Sequence, residues 1–192
     1  PYAVIANPND TPRDIFISGF SSAPLAASEP YALGGHEKDF QTGIHVLNKL
    51  TSGKVHLSVS ADEIGFFDKL EKVELYRVSG KHPAGNVGVQ INKISPLNKG
   101  EKVWTVKPQD VALIGRVFSS GKYDVTRVFA FAGSEVEKPQ YYRAKYGTDL
   151  TGLFRKHVKN SKVRFISGDV LSGKNMGNNT SLGFYNSLIT VI

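Results

Sequence analysis

Between residues 36 and 133 the spacing of apolar side chains switches repeatedly between the two periods open to a folded chain, and this alternation narrows the fold further than anything else. In "HEKDFQTGIHVLNKLTSG" Phe40, Ile44, Leu47 and Leu50 recur at three- and four-residue steps. That spacing places them on one face of a helix of about four turns, with Gly53 at the expected stop. "KVHLSVS" (54–60) then alternates as a strand should, and "KVELYRV" (72–78) follows after a short stretch with helical leanings. Strand, helix and strand in succession predict a right-handed crossover unit.

After the loop "SGKHPAGNVG" (79–88) the pattern predicts an extended stretch at 89–94 and a strand "KVWTV" at 102–106. A helix should open at Pro108 and run through "QDVALIGRVFSSG", with Val111, Ile114, Val117 and Phe118 on one face and Gly121 past its end. "TRVFAFAG" (126–133) is nearly all apolar, as in a strand covered on both faces of a parallel sheet. Residues 36–133 therefore read as an α/β, Rossmann-like domain with a mostly parallel sheet and helices. Ahead of it, residues 1–35 hold prolines 1, 8, 12, 24 and 30 and read as an extended lead-in broken by the first strand, "DIFISGF" (14–20).

Beyond Gly133 the elements shorten. "EKPQYYRAKYG" predicts a short hairpin, and "TDLTGLFRKHV" a helix of about two to three turns with Thr148 as N-cap and Leu150, Leu153 and Phe154 inward. "KVRFIS" (162–167) is another strand. Residues 134–175 thus read as a small α+β, β-grasp-like domain, and 176–192 as a return segment ending in a final strand within "SLGFYNSLITVI".

Composition removes several functions. No cysteine is present, so a disulfide framework and thiolate-held zinc or iron–sulfur sites are excluded, and a reducing compartment is favoured. No apolar run approaches the roughly 20 residues of a membrane-spanning helix. The start at Pro1 without methionine, the lack of a signal-peptide pattern and the stop at "SLITVI" suggest an internal piece of a longer protein. Histidines 36, 45, 56, 82 and 157 never fall at metal-ligand spacing, there is no Gly-x-Ser-x-Gly elbow, and Gly80, Gly85 and Gly88 do not form a dinucleotide fingerprint. "GDVLSGKN" (168–175) is one letter from a P-loop, but Asn175 stands where Mg²⁺ needs a hydroxyl, and "MGNNTSLG" after it cannot start a helix.

Two features remain as candidate sites. The loop 79–88 follows a predicted parallel strand, and ligands of open α/β sheets bind beyond the carboxyl ends of strands. There Gly85 and Gly88 would let backbone approach a ligand, Pro83 would stiffen the entry, and His82 could donate a hydrogen bond, with Asn86 between them. The competing reading is a tight connection that only needs positive φ. The second feature is charge: from Lys138 to Arg164 eight Lys or Arg face Asp149 alone, and this segment carries the whole net charge of +7. Arg143, Lys145, Arg155, Lys156 and Lys159 are candidates for a surface toward a partner or an anionic membrane face, against the plainer reading of a solvated face.

The string "KHPAGNVGVQI…VWTVKPQDVALIGRVFSSGKYDVTRVFAFAGSEVEKPQYYRA…ISGDVLSG" resembles the A subunit of the Na⁺-translocating NADH:quinone oxidoreductases, well over residues 82–192 and more loosely before. The resemblance implies a Rossmann-like domain followed by a soluble-ligand-binding β-grasp domain. It implies a peripheral subunit on the cytoplasmic face of a bacterial inner-membrane complex, with the other subunits as partners. That complex uses NADH, flavins, an iron–sulfur centre and ubiquinone and exports Na⁺. The fold is similar to the flavin-binding subunit of respiratory complex I, which has an acidic run where this chain has Phe20, Ser21, Ser22, Ala23 and Pro24. No redox cofactor is therefore expected on this chain. Ubiquinone is a candidate ligand, with His82, Pro83, Gly85, Asn86, Gly88, Gly133 and Ser134 as candidate lining residues. The alternative is a free-standing nucleotide- or nucleic-acid-binding module, motivated by the near P-loop and the basic segment.

Overall fold

The computed structural model describes residues 4–63, 65–177 and 181–192; residues 1–3 of the expected lead-in, Ile64, and residues 178–180 of the expected return segment lie outside them. The chain forms two compact units, one of Pro1–Ser22 and Glu29–Asp124, the other of Ala23–Ser28 and Val125–Ile192.

The first unit is built on four parallel strands, β1 (Ile15–Ser18), β2 (Val55–Ser60), β3 (Glu74–Val78) and β4 (Trp104–Val106), in the order β3-β2-β1-β4. These are the first four strands of the doubly wound order, with its reversal between β1 and β4. Helices α1 (Glu29–Leu33) and α2 (Glu37–Leu47) connect β1 to β2, α3 (Val87–Ile94) connects β3 to β4, and α4 (Pro108–Ser120) follows β4. Phe40, Ile44 and Leu47 of α2 and Val111 and Ala112 of α4 share one core with Ile15, Ile17, Val55, Leu57 and Val59. The two helices approach until backbones touch, because Gly43 and Gly115 present no side chain: a Cβ on Gly115 would lie 1.7 Å from the Asp39 carbonyl, and one on Gly43 2.1 Å from that of Val111.

Several expectations need correction. Residues 89–94 are not extended but belong to α3. "VGVQINKI" alternates as a strand does at its start, yet Val87, Ile91 and Ile94 also fit one helical face, and Ile91 and Gln90 are buried there. The lead-in contains α1, with Pro30 in its first turn, where proline costs no hydrogen bond. Helix α2 stops at Leu47, leaving Leu50 45% exposed, and Phe118 of α4 is 70% exposed. The cause in α4 is the close contact through Gly115, which turns Val111, Ala112 and Gly115 inward. Strand β2 is buried on both faces, because it is central, so His56 and Ser58 are buried with the apolar residues. The His56 ring stacks on Phe16 at 4.6 Å.

The second unit holds β5 (Thr126–Ala132), β6 (Gln140–Lys145), α5 (Thr151–Phe154), β7 (Phe165–Ser167), β8 (Lys174–Asn175) and β9 (Leu188–Val191). Its sheet runs β6-β5-β9-β7-β8, with β5 and β9 parallel and the other pairs antiparallel. A parallel central pair flanked by two hairpin partners, with a helix between second and third strands, is the β-grasp arrangement. The expected apolar strand is thus β5, and it sits in this second sheet, not in the first. Its burial on both faces is as expected: Phe129 and Phe131 enter a core with Phe154, Ile189 and Val191, while Ala130 and Ala132 meet Leu188 and Ala27 on the other side. The hairpin expected within 137–147 is formed instead by β6 folding back on β5.

Helix α5 is a single turn. Thr148 is not its N-cap; Leu150 is, and the Asp149 carboxylate accepts the Thr151 N–H at 2.9 Å. Leu153 is 39% exposed, leaving Leu150 and Phe154 as the residues that fill the core. The Phe154 ring stacks on Phe131 at 4.2 Å. "GDVLSGKN" forms the β7–β8 turn, followed by strand and not helix. Asp169 organises that turn by accepting from the backbone N–H groups of Leu171 and Ser172 and from the Ser172 hydroxyl. Burial alone would raise its carboxyl; these donors outweigh it and hold it below the usual range.

Candidate functional site

In a sheet of order β3-β2-β1-β4 the chain leaving β1 runs to β2 on one side while β4 lies on the other, so the strand order reverses between β1 and β4, and the carboxyl ends at such a reversal are the usual address for a ligand. Residues 19–22 leave β1 at that edge, and the turn 81–86 returns from β3 to lie directly on them. The Gly85 N–H donates to Ser22 Oγ at 2.8 Å, and the same hydroxyl stands 3.3 Å from His82 Nδ1. Buried Gln90 of α3 directs its amide at the carbonyls of Phe20 and Ala84 at 3.5 and 3.4 Å. The turn closes on itself through Ala84 N–H to Lys81 O and Asn86 N–H to Pro83 O, around a cis His82–Pro83 bond.

The role of Gly85 is therefore plain. A Cβ there would lie 2.1 Å from the Ser22 nitrogen and 2.8 Å from Ser21 backbone atoms, so the space its missing side chain leaves is filled by the chain's own 21–22 segment. The positive φ of the loop belongs to Gly80, at +132°, and Gly88 lies in the first turn of α3. What the turn offers outward is the exposed rim of His82, Pro83 and Asn86. At this edge the β1 connection is packed against Gly85 through Ser21 and Ser22. Among the described residues no three His, Asp or Glu converge as metal ligands.

One ionisable group at the edge stands out. Glu63, three residues past the end of β2, is half-buried, and burial pushes its carboxyl above the usual range, offset only partly by a backbone hydrogen bond to Ser60. At the opposite edge Asp14 accepts the Lys54 N–H at 3.0 Å and the Arg13 guanidinium at 2.9 Å, and lies 3.5 Å from His56 Nε2. Burial would raise its carboxyl, but these partners hold it below its ordinary value. Arg13 continues to Ser95 and Glu101, so this second cluster ties the starts of β1, β2 and β4 to the end of α3.

In the second unit Gly133, at φ +142°, is wedged against β9: a Cβ would lie 1.9 Å from the Val191 carbonyl. Ser134 is exposed, and its carbonyl accepts from the Lys159 ammonium at 2.6 Å. Arg143 and Lys145 project from the face of β6 opposite Tyr142 and Ala144, which pack against the core holding Phe154. Arg155 and Lys156 follow α5 on the helix side. The basic residues are exposed but divided between two faces. Sequence reasoning missed Ser22 and Gln90, the partners of the 81–86 turn; "GFSSAP" after the first strand was visible, but not what would land on it.

Fold and site together define a class: a parallel, Rossmann-like unit followed by a β-grasp unit. The crystal structure of an NAD⁺-reducing [NiFe]-hydrogenase in the H2-reduced state shares this fold, with a TM-score of 0.70 at 12% identity over 96% of this chain and 41% of that one. The air-oxidised form matches with a TM-score of 0.64. Residues 1–123 match the model of the NqrA second alpha/beta domain, and residues 128–177 that of the NQRA C-terminal domain. The A subunit of the Na(+)-translocating NADH-quinone reductase of Photorhabdus laumondii is 35% identical over the whole chain and 43% of its own length. That of Hahella chejuensis is 38% identical over 94% of this chain and 40% of its own. The chain belongs to the NqrA family, and it spans about two fifths of the length of these relatives.

Proposed function

We propose that this chain is the central part of the A subunit of a Na⁺-translocating NADH:quinone reductase, peripheral on the cytoplasmic face of a bacterial inner membrane. It docks to the other subunits and carries no redox cofactor of its own. NADH, flavins and the iron–sulfur centre belong to the partners. Collinear similarity along the chain to relatives so named carries the reading. The packing of Gly85 on Ser21 and Ser22 supports the part about cofactors, since the glycine-marked turn is engaged with its own chain. No helix among the described residues is long and apolar enough to cross a membrane.

Quinone access is the finer part of the proposal. His82, Pro83 and Asn86 form an exposed rim where ligands of such sheets bind, and Gly85 shapes that rim by letting the turn settle on β1's connection. The test is co-purification of the full-length protein with the other subunits, followed by absorbance and quinone titration. Purified on its own, the full-length protein should be colourless, and His82→Ala with Asn86→Ala should weaken quinone binding. Stoichiometric flavin absorbance would refute the first statement, and unchanged quinone binding the second. The nucleic-acid reading predicts salt-dependent binding of an oligonucleotide; the divided basic residues argue against it.

A further inference from the structure

The second unit contains ten Lys and Arg against four Asp and Glu. Three of the four carboxylates are held by neutral donors: Asp149 by Thr151, Asp169 by Ser172 and backbone, Glu135 by the Asn160 amide. Arg143, Lys145, Arg155 and Lys156 face no carboxylate among the described residues. Strand β6, which carries the first two, is the terminal strand of its sheet and, among the described residues, pairs with β5 alone, so residues 142–145 present a backbone edge with no further strand on it.

We infer that β6 is a docking edge for an acidic, extended segment of another protein, which adds to the sheet as a further strand. An open edge supplies the backbone donors and acceptors for strand addition. Charge selects the occupant. Two copies of β6 meeting edge to edge would bring Arg143 and Lys145 against their own kind, which disfavours a second copy of this chain. A strand with Glu or Asp at alternate positions would instead meet Arg143 and Lys145 on one face, at cross-strand distances where opposite charges stabilise and like charges repel. Tyr142 and Ala144 point into the core, so recognition falls to the two cations and the backbone. The inference deepens the docking role proposed above by naming the chemistry of a partner segment. It rests on the proposed role only for which protein supplies that segment.

The test uses the whole chain and a defined probe, an alternating Glu–Thr octapeptide, with a Lys–Thr octapeptide as its counterpart. Binding is followed by titration, and its place by amide hydrogen exchange. The Glu–Thr peptide should bind at least tenfold more tightly than the Lys–Thr peptide at low salt and slow exchange within residues 140–145. Arg143→Glu with Lys145→Glu should reverse the preference, while Arg155→Glu with Lys156→Glu should leave it. Equal binding of the two peptides, or preference without protection of β6, overturns the proposal. Neither result touches the family role, which fails separately if the full-length protein does not co-purify with its partners.

Discussion

The two units balance charge in opposite ways. In the first, Arg13, Lys54, Arg77, Lys102 and Arg116 each meet a carboxylate, and one guanidinium, that of Arg116, reaches both Asp39 and Asp124. In the second, cations outnumber acids, and Glu135, Asp149 and Asp169 accept from neutral donors. The first unit has 14 Lys and Arg against 13 Asp and Glu, so its far field is weak; the second, with cations in excess, projects a positive field that a partner can neutralise. Both units nonetheless rest on the same kind of interior, bulky side chains of a sheet packed against those of a helix.

The largest expected effects test those interiors. Phe131→Ala should cost the second unit about 3–5 kcal/mol, since it removes a fully buried ring stacked on Phe154. Amide exchange at Phe129 and Ile189 would report it, while Trp104, the single tryptophan, reports only the first unit by fluorescence. Gly115→Leu should do the reverse and cost the first unit about 3 kcal/mol or more, because the helices cannot separate without opening the core. If either substitution melts both units together, the division into independent interiors is broken.

Asp14→Asn should come next, at about 2 kcal/mol near neutral pH, by weakening hydrogen bonds to a buried carboxylate. The sign of its pH dependence follows from the lowered carboxyl. Asp14 adds stability above the unfolded value of about 3.9, and that contribution disappears as pH falls through the lower folded value. Wild type and variant should therefore converge in acid when followed by Trp104 fluorescence. A constant gap down to the lowest pH would show that the carboxylate's charge is not what ties the strand starts together.

Gly85→Ala should cost roughly 1–3 kcal/mol through overpacking and should detach the 81–86 turn from Ser22, seen as faster exchange of the Gly85-region amides. Smallest of all is salt. Raising NaCl should stabilise the second unit by a few tenths of a kcal/mol as like charges are screened, and slightly destabilise the first as its exposed pairs weaken. A shift of the same sign in both units would mean the excess cations repel too weakly to define the contrast.

Where local pattern and final environment agree, the chain is legible from its letters. Helix α4 begins at Pro108 and ends with Gly121 in the left-handed region, as proline and glycine at those places require. β1, β2, β3 and β5 were visible for the same reason. Helix α3 was not, because "VGVQINKI" satisfies two periods at once and only burial of Gln90 and Ile91 decides between them. Of the candidate site, the loop and its position beyond a strand were legible. That Gly85 serves close packing on Ser22, 63 residues earlier, was not, since nothing local encodes which segment it meets.

The sequence by itself determined the order and kind of most elements, the excess of positive charge between Lys138 and Arg164, the absence of thiol chemistry and the family. These follow from composition and from spacing along the chain. Tertiary structure decided that β5 joins the second sheet, that the basic residues split across two faces of a strand and a helix, and that the glycine-marked turn folds onto its own chain. Each of these depends on which distant surfaces exclude water together, and burial is a property of the assembled fold.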